Sequence, residues 1–151
     1  MRSLLDSRTR AAVIARLQTL DRATPPRWGR MTAVEMVAHI NDGLRLALGD
    51  LPSRPHPSPL RLPPLKQAAV YWLPIPRGVS GPPELTARLR AGPPLNWSDE
   101  QAAFPELLDQ FGRKAINEAW PEHPVFGPLS ARAWGVLSLR HTEYHLQQFG
   151  L

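Results

Sequence analysis

Apolar residues return every three or four positions in four stretches of the chain, the spacing of an α-helix with one buried face. The first stretch runs from about Ser7 to Arg22, with Val13, Ile14, Leu17 and Leu20 on one stripe. Thr24-Pro25-Pro26 predicts its end, because the residue before a proline is driven out of the helical region. The second runs from about Ala33 to Leu48, with Val37, Ile40, Leu44 and Leu48 as its stripe. Thr32 and Glu35 stand at capping-box spacing before it, and Gly49 is a natural stop after it. The third lies between Ser98 and Ala119, where Ser98 and Gln101 again have capping-box spacing and Leu108, Phe111 and Ala115 supply the buried face. Pro105 predicts either a kink or a short turn before a helix that starts near Phe104. The fourth runs from about Ala131 to Gln148, with Ser130 as N-cap and Trp134, Leu137 and Leu146 among its apolar members.

Residues 49–97 are a different kind of chain, holding twelve of the eighteen prolines. Such density forbids regular helix or central strand over most of the segment, and only Leu65 to Leu73 reads as a short helix. Tyr71, Trp72 and Trp97 offer it apolar anchors. The expectation is a segment packed across one end of the helices, restricting access there; the alternative is a disordered linker. No internal repeat and no strand alternation are present. The pattern therefore predicts an all-α fold in one domain over residues 1–151: a four-helix bundle with a long proline-rich crossover between its second and third helices.

Composition narrows the function classes. The absence of cysteine rules out a disulfide framework, thiolate ligands and a thiol nucleophile from this chain. The formal net charge is +5 and sixteen of the eighteen basic residues are Arg, but they are scattered and no block of like charge appears. That favours a solvated basic surface over nucleic-acid binding. No apolar run approaches the length of a membrane span, and the N-terminus lacks a signal-peptide pattern. The expectation is a soluble cytoplasmic protein acting on a small molecule, without nucleic-acid or membrane partners; a homodimer stays open.

The candidate chemistry lies in the histidines. His141 and His145 are four apart on the fourth predicted helix, so both imidazoles share one face, one turn apart. Trp134, Leu137, Ser138, Tyr144 and Gln148 lie on that same side, while Arg132 and Glu143 point the other way. The pair therefore faces the interior, where its ring nitrogens need partners, and a metal ion satisfies one on each. His39, on the second helix beside Met36, Gly43 and Leu46, can face the pair if the two helices are neighbours. Three imidazoles with an open fourth position suit Zn²⁺ or Ni²⁺ and resemble catalytic more than structural metal sites. Asp42, one turn beyond His39, is a candidate to orient it, and Tyr144 and Gln148 are candidates to line a pocket. His56 and His123 are not read as ligands; His123, before Pro124, is expected to fix a turn. The run His141-Thr142-Glu143-Tyr144-His145 is not a zincin motif, which needs Glu directly after the first His.

Two stretches carry a family resemblance. Trp28-Gly29-x-Met31-Thr32-x-x-x-Met36-x-x-His39 and Trp134-Gly135-x-Leu137-x-x-Arg140-His141-x-x-x-His145-Leu146-x-Gln148-Phe149 resemble the DinB/YfiT-like superfamily of metal-dependent enzymes. His123-Pro124-x-Phe126-Gly127 looks like one uncharacterised branch of that group. The resemblance covers both ends of the chain and not the proline-rich middle. It implies a four-helix bundle with one His on the second helix and the pair on the fourth, hence His39, His141 and His145 as ligands. It also implies transfer or isomerisation with a low-molecular-weight thiol, beside the metal-assisted hydrolysis that such an ion supports on its own. The competing reading is a non-catalytic helical binding or interaction module without metal, its histidines serving as hydrogen-bonding groups of the core.

Overall fold

A computed structural model describes residues 1–79, 81–114 and 116–151. Among these residues the fold is all-helical, with six α-helices rather than the four the periodicity predicts. They are α1 (Ser7–Gln18), α2 (Ala33–Leu48), α3 (Leu65–Tyr71), α4 (Glu84–Ala91), α5 (Trp97–Arg113) and α6 (Ala131–Gln148), with a 3₁₀ turn at Pro59–Arg61. No helix is long and apolar enough to cross a membrane.

The second and fourth predicted helices appear with the expected bounds, for local reasons. Thr32 Oγ1 accepts the Glu35 N–H at 3.4 Å and the Glu35 carboxylate accepts the Thr32 N–H at 2.7 Å, so the box satisfies two orphan donors at once. Gly49 ends α2 at φ 91°, a left-handed conformation open to glycine without cost. Ser130 Oγ accepts the Ala133 N–H at 3.2 Å to start α6.

The other two differ from expectation. Helix α1 stops at Gln18, because both the amide and the hydroxyl of Thr19 turn back to the Arg16 carbonyl, at 3.1 and 2.7 Å. Leu20 lies beyond it yet stays buried. Helix α5 is capped by Asn96, whose side chain accepts the Asp99 N–H at 3.1 Å, not by Ser98. It continues through Pro105. An interior proline costs about 3 kcal/mol, whereas burying each large apolar side chain returns about 1.5–3 kcal/mol, and Phe104, Leu107, Leu108 and Phe111 are all buried. Ala115, expected on that face, lies outside the described residues.

Helix α2 packs against α5 and α6, and α1 packs against the same two, so these four close a ring around the core of Val13, Leu17, Met36, Ile40, Leu44, Phe104, Phe111, Trp134 and Leu146. The proline-rich segment is docked onto that ring. Its α3, where the sequence allowed a short helix, lies on α6, and Arg140 donates to the carbonyls of Ala69, Val70 and Leu73. Its α4, unexpected among so many prolines, lies on α2. Arg77 stacks over the Trp28 ring with 4.1 Å to the centroid. The anchors differ in part from expectation: Trp97 belongs to the first turn of α5 and packs on the core, while Trp72 is 69% exposed.

Candidate metal centre

Helices α2 and α6 bring His39, His141 and His145 together, their ring centroids 4.7 to 4.9 Å apart. One nitrogen from each lies within 4.8 Å of the others. His39 and His145 are buried and His141 is half-buried.

The protonation pattern follows from the partners. His39 Nδ1 lies 3.0 Å from the Leu85 carbonyl, which can only accept, so Nδ1 carries the hydrogen and a neutral ring leaves Nε2 bare. His145 Nδ1 lies 2.8 Å from Gln148 Oε1. The Gln148 amide nitrogen donates to the Trp28 carbonyl at 2.8 Å, which turns Oε1 toward the ring; His145 Nδ1 is therefore also the donor and its Nε2 is bare. His141 Nε2 lies 3.1 Å from His39 Nε2. Two nitrogens bound at about 2.0–2.1 Å to one tetrahedral ion stand roughly 3.3 Å apart, so this spacing suits a shared ion.

Burial keeps the cluster neutral. It lowers His39, against the opposing pull of the Leu85 hydrogen bond and the Asp42 charge. Burial and the neighbouring His39 bring His145 down to about 4, with Gln148 pulling the other way. His141 is well below the ordinary range through burial and the other imidazoles. Neutral rings are the form that binds metal.

Gly43 faces the His141 ring. A Cβ there would stand 3.1 Å from Nδ1 and 3.2 Å from Cε1, tighter than ordinary contact.

Of the remaining candidates, Gln148 and Tyr144 touch the His145 ring and the others make contacts of their own. The Asp42 carboxylate meets Arg45 at 2.8 Å and Arg88 at 3.1 Å, and the place it was offered on the His39 ring is taken by the Leu85 carbonyl. Gln148 is buried, and its Oε1 accepts from His145 Nδ1 at 2.8 Å. The Tyr144 ring stands edge-on to His145, with centroids 5.0 Å apart, and its hydroxyl accepts from Trp28 Nε1 at 3.3 Å. Glu143 points outward to Arg2 and Arg16, at 3.0 and 3.7 Å, as its helical angle required. His56 pairs with Glu84 at 3.4 Å. His123 Nδ1 accepts the N–H groups of Val125 and Phe126 at 3.0 and 3.2 Å, fixing the turn before α6.

The Leu85 and Trp28 carbonyls and the Arg88–Asp42 pair were not among the sequence expectations. A backbone acceptor has no side-chain signature, although Trp28-Gly29 was among the residues that stood out. Two surface grooves, of about 230 and 350 Å³, lie beside Lys66 and Tyr71 and beside Glu35 and Arg88; neither is lined by the three rings. Compared with protein-family profiles, curated proteins and solved structures, the chain matches none.

Proposed function

We propose that this chain is a metal-dependent enzyme of the DinB/YfiT-like kind, holding one divalent ion, Zn²⁺ or Ni²⁺, on His39, His141 and His145. In this reading α1, α2, α5 and α6 are the four-helix bundle, and α3 and α4 belong to the crossover. The observation that carries it is the pair of Nε2 atoms left bare by tautomer-fixing partners on two helices, converging with a third imidazole. Held by these three neutral imidazoles, a divalent ion would supply Lewis acidity toward a water, carbonyl or thiol. The chain's own part is to hold the donors: Leu85 and Gln148 set two tautomers, and Gly43 lets the third ring approach α2. The reaction is hydrolysis of a small molecule in the cytoplasm, or transfer or isomerisation with a low-molecular-weight thiol. A screen of thiol cofactors against metal-loaded protein separates the two.

The test is elemental analysis of protein purified without a histidine tag. About one transition-metal ion per chain is expected, falling close to zero in His141→Ala. Protein that stays metal-free at saturating Zn²⁺ and Ni²⁺ would overturn the reading in favour of the non-catalytic helical module.

A further inference from the structure

Helix α4 is eight residues long and buries a single side chain, Leu85. Burying one leucine returns less than ordering the backbone of eight residues costs. Apolar contact alone does not hold this helix in place. Its first residue, Glu84, accepts the Arg54 N–H at 3.0 Å and meets His56 at 3.4 Å, both within the crossover itself. The charged tie to the helical frame is Arg88. Its guanidinium reaches Asp42 at 3.1 and 3.2 Å, the Ala38 carbonyl at 3.3 Å and both carboxylate oxygens of Glu100 on α5, one of them at 3.1 Å. Asn41 Nδ2 adds a 2.9 Å hydrogen bond to the same carboxylate. The Asp42 and Glu100 side chains are only 4% and 6% exposed, so their charges depend on this partner and, for Asp42, on Arg45. Burial pushes Glu100 up, but the bonds from Arg88 and Asn41 outweigh it and hold the carboxyl below its usual range.

Leu85 and Arg88 are three apart on α4 and therefore share a face. They grip adjacent residues of α2: Arg88 takes the carbonyl of Ala38, and the Leu85 carbonyl takes the ring of His39. We propose that Arg88 is a positioning residue for the histidine cluster, a latch that seats α4 so that the Leu85 carbonyl orients His39 and fixes its tautomer. The latch rests on the metal reading for one of its three readouts only. Arg88 touches no reacting atom; it acts through a backbone carbonyl one turn away.

The experiment compares wild type, Arg88→Lys, Arg88→Gln and the double variant Arg88→Gln/Glu100→Gln. The double variant leaves no uncompensated charge at Glu100 and remains the decisive protein if the single variant fails to fold. Three quantities are read on folded, full-length chains. Hydrogen exchange of the α4 amides should rise at least tenfold in the double variant while those of α6 stay protected. Nuclear magnetic resonance of metal-free protein should show His39 locked with hydrogen on Nδ1 in wild type and averaging between tautomers in the double variant. Zinc affinity, by competition with a chromophoric chelator, should fall about tenfold, the scale for losing a group that orients a ligand. Lysine, which cannot fork to two carboxylates, should fall between. Unchanged α4 exchange overturns the latch. So does α4 released with the His39 tautomer unmoved, which would make Arg88 structural alone. If wild type takes up neither zinc nor nickel, the metal reading fails, and exchange and tautomer still decide the latch.

Discussion

His39 and Asp42 are less than one turn apart on α2, yet each feeds a different buried cluster. Around Asp42 the chain balances its own charge: two carboxylates, Asp42 and Glu100, meet two guanidinium groups, Arg45 and Arg88. Around His39 there is no such pairing. The three imidazoles are neutral, and their outer nitrogens are tied to carbonyl oxygens on two of the three. Two of them leave Nε2 bare, and one nitrogen from each of the three lies within 4.8 Å of the others. A self-neutralised cluster is a fastening, and its removal is felt as lost stability. A convergent neutral donor set could hold a cation, and its alteration would then be felt as lost affinity. That difference sorts the expected outcomes.

Beyond the loss of metal in His141→Ala, acid should have the largest effect, because it reaches the neutral histidines first. His123 titrates near 6.5 when unfolded, and burial, with the Arg61 charge, lowers it to about 4 in the fold. Between those values the unfolded chain binds a proton that the folded chain refuses. Stability is thus complete above about pH 6.5 and declines as pH falls toward 4, by about 2–3 kcal/mol for this group. Thermal melts of metal-free protein from pH 7 to 4.5 should show the decline, and His123→Asn should make it shallower. An equally steep slope in the variant would remove His123 from the account.

Next comes the charged cluster. Glu100→Ala strands Arg88 and Asn41 and should cost on the order of 2–3 kcal/mol. That lies below the figure for fully buried pairs because the Arg88 side chain is 30% exposed and partly rehydrates. Denaturant unfolding checks it, and a loss under about 1 kcal/mol would mean the pair is not a fastening. The smallest effect belongs to Gln148→Leu, which frees His145 Nδ1. Zinc affinity should fall about tenfold, or about 1.4 kcal/mol, from the loss of an orienting partner. An unchanged affinity would show that Gln148 does not orient its ligand.

The parts of this molecule that were legible in sequence are those governed by neighbours a few residues away. Thr32 with Glu35, Gly49 and Ser130 announced the ends of α2 and α6, and the four-residue spacing of His141 and His145 announced a shared face. The start of α5 was misplaced because Asn96 and Ser98 compete as caps, and only one can accept from the first turn that forms. Helix α4 was hidden for a related reason. Prolines at 82–83 and 93–94 read as a ban on helix, whereas here they flank nine proline-free residues, eight of them helical, and bound the helix rather than break it. The contacts that tune the site were beyond any local pattern. The Leu85 carbonyl reaches His39 across 46 positions, and the Trp28 carbonyl reaches Gln148 across 120. Only packing selects such partners, and a carbonyl is the same on every residue.

Gly43 sets a tolerance on the whole arrangement. The helices that carry His39 and His141 come together at a residue with no side chain, and the imidazole occupies the space a methyl group would need. The gap between the two donor-bearing helices is therefore gauged by a missing carbon. Alanine at this position raises helical propensity but crowds the His141 ring, so its effect on folding is the balance of the two. It would displace the ring by a few tenths of an ångström, in the coordinate along which donor spacing is defined. Helix propensity and ring spacing thus depend on different properties of the same residue, and a change that favours one does not preserve the other.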